Sequence, residues 1–178
     1  VSALDKTPKN VNYLNPLNFQ FQIKRAPTVN FMLQRVNIPS LVLPFNTTPT
    51  LWQPLPHSGG KLQYGDFSIS FKIDEDMLNY MEIFNWMEKL GYPENFDQYK
   101  SIATKTIESG EGIVSDVTLI IYNGINKPNF EVTMRDAFPI ELTTDEFITT
   151  DETVNYVTAN AKFRYLQFKP QDYDAGEN

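Results

Sequence analysis

The chain has 178 residues, 41% hydrophobic and 13% aromatic, with 12 Pro and 8 Gly, a composition that builds one folded domain and excludes an intrinsically disordered chain. Net charge is −7, from 22 acidic against 15 basic residues with no basic run, which speaks against a protein that grips nucleic acid. Cysteine is absent, which excludes disulfides, thiolate catalysis and thiolate metal sites, and no apolar run approaches the roughly 18 residues of a membrane helix.

Residues 1–17 read as an arm, polar and carrying Pro8 and Pro16, without the apolar core of a secretory signal. Asn18 to Lys24 alternates, with Phe19, Phe21 and Ile23 on one face and Gln20, Gln22 and Lys24 on the other, the pattern of a half-buried strand. A second strand is expected over Asn30 to Val36. Between Pro39 and Pro56 five prolines fall in 18 residues. Proline cannot donate to a central ladder, so this stretch reads as an extended loop or an edge hairpin, and His57 to Gly60 as a turn. The loop also carries Leu41, Val42, Leu43, Phe45, Leu51 and Trp52, and so much apolar surface needs something to lie against.

Lys61 to Ile73 reads as the next strand, with Phe67, Ile69, Phe71 and Ile73 inward, Ser68, Ser70 and Lys72 outward, and Gly65 marking a bulge or bend. Asp74, as N-cap, opens a helix over 75–91 that Gly91 and Pro93 end. Its apolar arc holds Met77, Tyr80, Met81, Ile83, Phe84, Trp86, Met87 and Leu90, an arc of roughly 200°. Such width suits either a deeply buried helix or one whose second flank packs on a neighbouring subunit. The connector from Tyr92 to Ile113 is polar.

Asp116 to Tyr122 is apolar on both faces and reads as a strand covered twice. Asn123-Gly124 signals a hairpin longer than two residues. Phe130, Val132 and Met134 then alternate with Glu131, Thr133 and Arg135, and a bend is expected at Pro139. A long last strand spans Val154 to Phe168, with Val157, Ala159, Ala161, Phe163 and Tyr165 on one face and Thr158, Asn160, Lys162 and Arg164 on the other. The reading gives a mainly β fold, a sandwich or barrel of six or seven strands with one inserted helix. It divides into an arm at 1–17, a domain at 18–169 with a long loop at 39–60, and an acidic tail at 170–178.

No chemistry is legible. His57, the lone histidine, lacks a nucleophile elbow, and Gly59-Gly60-Lys61 lacks both the first glycine and the hydroxyl residue of a phosphate loop. Asp74-Glu75-Asp76 starts no calcium loop, and Asp145-Glu146 and Asp151-Glu152 read as solvated loop charge. No catalytic, cofactor-binding or metal residue is assigned.

The order of segments resembles the tail tube proteins of contractile-tailed bacteriophages and, more distantly, the tube proteins of type VI secretion. The matching pieces are Asn18 to Ile23, Phe31 to Pro39, Gly65 to Phe71, the helix with Ile83-Phe84-Asn85-Trp86, Asn129 to Pro139 ending in Asp136-Ala137-Phe138-Pro139, and Tyr156 to Tyr165. None is specific alone; their order and spacing carry the likeness. The resemblance implies a non-enzymatic virion subunit, assembled in the host cytoplasm. Six copies would form a ring whose strands merge into one inner barrel, and rings would stack into a conduit for DNA. It implies sheath, baseplate and tape-measure proteins as partners, and no cofactor. On that reading Phe45, Leu51 and Trp52 are candidates for contacts between rings, and Ser68, Ser70, Thr158 and Asn160 for lining the lumen. Lys162 and Arg164 fit such a lining only if they face elsewhere or pair with acids on neighbouring strands. The alternatives are a specialised ring at the baseplate or at the tube's end, and a monomeric carbohydrate-binding sandwich using Trp52, Trp86 and tyrosines as stacking platforms.

Overall fold

Period-two alternation decides which side of each strand meets the core, and the computed structural model, which describes residues 12–91, 113–148 and 156–173, follows it closely. In chain order the elements are β1 (Phe19–Ile23), α1 (Pro27–Met32), β2 (Leu33–Val36), β3 (Leu41–Val42), β4 (Phe45–Thr48), β5 (Leu55–Ser58), β6 (Gln63–Tyr64), β7 (Phe67–Lys72), α2 (Leu78–Gly91), β8 (Ser115–Tyr122), β9 (Pro128–Thr144), β10 (Thr158–Arg164) and β11 (Gln167–Asp172). Seven strands make one antiparallel sheet in the order β1-β8-β9-β10-β7-β2, with β11 also on β9. The short strands pair separately, β3 with β6 and β4 with β5. The fold is mainly β, as the alternation implies.

The sheet folds over on itself through β9. The first half of this strand pairs with β8 and β11, and Phe138 to Thr144 pair with β10. At the junction Asp136 takes a left-handed backbone (φ 54), and its amide donates to the Asp116 carboxylate at 3.2 Å. Aspartate tolerates this conformation better than most residues. Pro139 lies opposite Phe163, where the register with β10 shifts, and an irregular step of this kind is where a strand accommodates a proline.

The two halves meet through aromatic rings. Phe21 on β1 stacks on Phe67 of β7 at 5.7 Å, although three strands separate them along the sheet. Phe67 meets Phe163 at 6.0 Å, and Phe163 meets Trp86 of α2 at 6.1 Å. Ile69, Phe71, Val117, Val132, Met134, Ala159 and Ala161 complete a buried core. The Trp86 indole donates to the Ile113 carbonyl at 3.0 Å, and Arg25 lies 5.2 Å from its ring. Helix α1 packs beside α2, where the Thr28 hydroxyl donates to Glu82.

A second aromatic group, Tyr64, Tyr165 and Phe168, sits where β10 gives way to β11. The Tyr165 hydroxyl donates to the Gly65 carbonyl at 3.0 Å. A Cβ on Gly65 would stand 2.3 Å from the Ser40 hydroxyl oxygen and 3.3 Å from its amide nitrogen, so the bend expected there is a close approach that any side chain would force Ser40 to yield to. Burial, then the nearby Tyr64 and Asp66, push the Tyr165 phenol up to about 12.

Several expectations need correction. Asn30 to Met32 are helical: Pro27 sits at the start of α1, Val29 is buried, and only Leu33 to Val36 form a strand. The helix expected at 75–91 begins at Leu78. The Asp74 carboxylate accepts from the Asp76 amide at 2.8 Å in a local turn instead of capping a helix, and Met77 has φ 54. His57 and Ser58 belong to β5 instead of a turn. The strand expected over Lys61 to Ile73 breaks at Gly65-Asp66 into β6 and β7, and the long last strand breaks at Tyr165-Leu166. Pairing continues past Pro170 to Asp172. The connector after Tyr92 and the pair Asp151-Glu152 lie outside the described residues. Phe84, at 44% exposure, is not part of the core, whereas Trp86 is fully enclosed.

Two outcomes follow. Trp86→Ala should lower unfolding free energy by about 3–5 kcal/mol and Phe84→Ala by roughly 1 kcal/mol, measured by denaturant titration. Tyr165 keeps its proton longer folded than unfolded, so its contribution is complete below pH 10 and is lost as pH rises toward about 12. Across that window the wild type should lose stability relative to Tyr165→Phe.

Candidate functional site

Two surfaces concentrate the residues singled out from sequence. The first is the outer face of the half-sheet formed by β2, β7, β10 and the C-terminal half of β9. Because alternate residues of β7 and β10 point into the core, Ser68, Ser70 and Lys72 share the other side with Thr158, Asn160, Lys162 and Arg164. Register sets Asn160 opposite Ser70 and Thr143, and Lys162 opposite Ser68 and Glu141. Ser68, Ser70, Thr158 and Asn160 therefore fall on one surface, as the alternation predicts.

Its polar groups satisfy one another. The Ser70 hydroxyl donates to the Asn160 side-chain oxygen at 2.5 Å, and Thr158 donates to Asp145. Lys162 pairs with Glu141 at 2.7 Å and Arg164 with Asp66 at 2.7 Å. Both cations of β10 thus have a carboxylate partner on a neighbouring segment, which answers the question they raised in the sequence. The Lys72 ammonium lies 4.3 Å from the Tyr156 ring.

This half-sheet is open on both sides among the described residues. Strand β2 pairs only with β7, and Phe138 to Thr144 of β9 pair only with β10. Unpaired backbone groups at both margins form a template for another strand. Elsewhere margins are blocked in part. The edge strand β11 carries Lys169 and Pro170. The Asn30 carboxamide accepts from the Ile23 amide at 3.0 Å and donates to the Ile23 carbonyl at 3.3 Å, standing in for a partner strand at the end of β1. Nothing in the sequence pattern announced that device, since Asn30 reads there as the first residue of a strand.

The second surface is the β4–β5 hairpin. Phe45 to Thr48 pair with Ser58 to Leu55, and all eight strand residues are exposed. A lone two-stranded ribbon escapes the proline restriction that a central ladder imposes, so Pro56 fits in β5. The base is tied down by β3 with β6 and by Gly59, whose amide donates to the Pro44 carbonyl at 3.2 Å. At the tip, the Thr50 hydroxyl oxygen accepts from the Gln53 amide at 3.2 Å. Leu51 and Trp52 are 98% and 95% exposed there, and Phe45 is 67% exposed. Helix α2 offers a smaller apolar flank, with Leu78, Met81 and Phe84 exposed and Met77 just before it. Trp86 is buried under Arg25 and Phe163, so it offers no stacking platform for a sugar.

No family model matches the chain, and no curated protein matches it. Solved structures do. A cap of the anti-feeding prophage (the tube-terminating cap) is similar over 97% of this chain and 100% of its own, with a TM-score of 0.63 at 11% identity. A sheath/tube terminator of an extracellular contractile injection system, in its extended state, matches over 91% and 99%, with a TM-score of 0.58 at 14% identity. A chain of the six-fold symmetrised anti-feeding prophage baseplate matches over 93% and 97%, with a TM-score of 0.55 at 10% identity. The chain therefore has the fold found in the tube and cap assemblies of contractile injection systems, as the resemblance implied.

The ion pair between Lys162 and Glu141 is half exposed on both sides, so it is screened by water. Lys162→Gln should cost under about 1 kcal/mol of stability, and the difference should shrink in high salt, as read from urea titrations at two salt concentrations.

Proposed function

We propose that the chain is the structural subunit of a tail tube of a contractile bacteriophage. On this reading the free margin of β2 in one copy joins the free second half of β9 in the next. Six copies close a ring, and no strand edge of the half-sheet remains exposed. The observation that carries the reading is a polar half-sheet, internally hydrogen-bonded, with both margins unpaired among the described residues. An ordinary monomeric sandwich shields such margins, because an open one invites aggregation.

With the ring closed, Ser68, Ser70, Thr158 and Asn160 line a hollow passage. Ser70 is bonded to Asn160 and Thr158 to Asp145, and Lys162 and Arg164 are already neutralised by Glu141 and Asp66. With both cations of β10 paired, only Lys72 and Arg35 among the described residues remain on this face without a carboxylate partner, so the lining offers phosphate little to hold and DNA passes without sticking. The β4–β5 hairpin, with Phe45, Leu51 and Trp52, bridges to the next ring. Tape-measure protein inside, sheath outside and baseplate below are the partners this places around it, with the virion as its location and no catalytic role.

The similarity to a tube-terminating cap and to a sheath/tube terminator supports a second reading, a specialised ring at one end of the tube. A repeating subunit needs two complementary ring faces, and an end ring needs one. Electron microscopy of the purified protein separates them: extended tubes are expected, and isolated rings would assign the chain to an end. A protein that sediments as a monomer under all conditions would defeat both. Leu51→Asp should keep the wild-type unfolding midpoint and yield rings without tubes; normal tubes from this variant would remove the hairpin from stacking.

A further inference from the structure

The Asn123-Gly124 pair signals a hairpin in the sequence, yet the turn between β8 and β9 does not need its glycine. Positive φ falls on Asn126 (φ 57) and on neither member of the pair, so this is not one of the tight two-residue turns that demand glycine. A Cβ built on Gly124 would meet nothing within 4 Å. The fold gives no steric reason for glycine here.

What the turn does fix is the Asn123 side chain. Its carboxamide oxygen accepts from the Ile125 amide at 3.1 Å and from the Lys127 amide at 3.0 Å. Two N–H donors on one atom mark that atom as the oxygen. They also draw electron density from the carboxamide carbon, as the paired donors of an oxyanion hole do. The Asn123 main chain is held as well: its amide donates to the Lys127 carbonyl at 2.9 Å, and its carbonyl accepts from the Asn126 amide at 3.0 Å. By contrast, the amide of exposed Gly124 makes no hydrogen bond among the described residues. A polarised carboxamide is thus followed directly by an unengaged backbone nitrogen, with no side chain to crowd its approach. Asn-Gly occurs nowhere else in the 178 residues.

We propose that Asn123 is a site of spontaneous deamidation, promoted by the turn that holds it. The Gly124 amide gives its proton to hydroxide, and its nitrogen attacks the Asn123 carboxamide carbon. Negative charge gathering on the side-chain oxygen is stabilised by the amides of Ile125 and Lys127. The bond to the side-chain nitrogen then breaks, ammonia leaves with a proton taken from water, and a cyclic succinimide remains. Water opens the ring at one carbonyl or the other, giving aspartate or isoaspartate. Aspartate keeps an acceptor for both amides and strengthens it with charge. Isoaspartate routes the main chain through the former side chain, adds one carbon to the turn, and cannot hold the same bonds. Either product adds a negative charge to the wall of a cavity of about 310 Å³ that Asn123 shares with Tyr13, Leu14, Ile125 and Asn129. The reaction needs a single folded chain and does not depend on assembly.

The test keeps the purified chain at mildly alkaline pH, either folded or in concentrated guanidinium chloride, and follows each asparagine by peptide mass spectrometry. Asn123 is expected to convert first, and about tenfold faster folded than unfolded, because only the folded turn polarises its carboxamide. Gly124→Ala, which the open space accepts, should fold normally and slow the conversion by about tenfold or more. In the isoaspartyl product the Ile125 and Lys127 amides should exchange hydrogen faster than in the unreacted chain. Conversion no faster in the folded chain than in the denatured one would overturn the proposal, because the turn would then not promote it. Equal rates in the wild type and Gly124→Ala, or an Asn123 that stays intact throughout, would overturn it too.

Discussion

The left-handed backbone at Asp136 lets a single strand of 17 residues serve two half-sheets that face each other. Before that point β9 is held on both sides, by β8 and β11; after it, only β10 remains. The fold's one continuous strand is thus also the source of one of its open margins. Closure of the core depends on the same turn, because it brings Phe67 and Phe163 over Phe21 and leaves α2 to seal the remaining side with Trp86. A straight β9 would give a flat sheet with an exposed aromatic face, which is not a soluble object.

How this chain treats its margins is selective. At β1 an asparagine carboxamide replaces the missing neighbour, and at β7 two more do similar work. Asn37 accepts from the Ser68 amide at 2.6 Å, and the buried Asn79 donates to the Lys72 carbonyl at 2.7 Å while its oxygen accepts from Tyr80 at 2.8 Å. Side-chain amides carry the same donor and acceptor as a peptide unit, so they can end a ladder without a further strand. Proline and lysine guard β11. The margins of β2 and of β9 beyond Phe138 have no side-chain amide standing in for a strand among the described residues, although Pro139 interrupts the β9 margin and Arg35 and Glu141 place charge on the two strands.

Much of the fold was legible because period two is unambiguous wherever one face is buried. Phe19, Phe21 and Ile23, Phe67, Ile69 and Phe71, and Ala159, Ala161 and Phe163 all face inward as their spacing requires, with Phe19 only partly covered at its edge. That Ser68, Ser70, Thr158 and Asn160 share one polar face was legible for the same reason, since they are the residues in between. What the pattern could not show were interruptions set by contacts distant in sequence. Short α1 has only six residues and no acidic first turn, so its helical signal is negligible and tertiary packing of Val29 decides it. The break at Tyr165-Leu166 depends on a hydroxyl reaching Gly65, a partner 100 positions away. Helix α2 looked longer because Asp74 is a fair cap in isolation, yet here it closes its own turn. The ion pairs of Lys162 and Arg164 needed the register of β9 and the position of Asp66, neither of which one strand's sequence contains.

From Val36 to Gly60, the stretch that holds the β4–β5 hairpin, there is no Asp, Glu, Lys or Arg, and that neutrality has a thermal consequence. Contacts made by such a surface draw their strength from water released off apolar groups, a force that fades on cooling and is reinforced by sulfate or phosphate. Simple ionic strength, which dissolves joints made of opposed charges, has little purchase on it. A joint seated on this hairpin would therefore hold in brine and loosen in the cold.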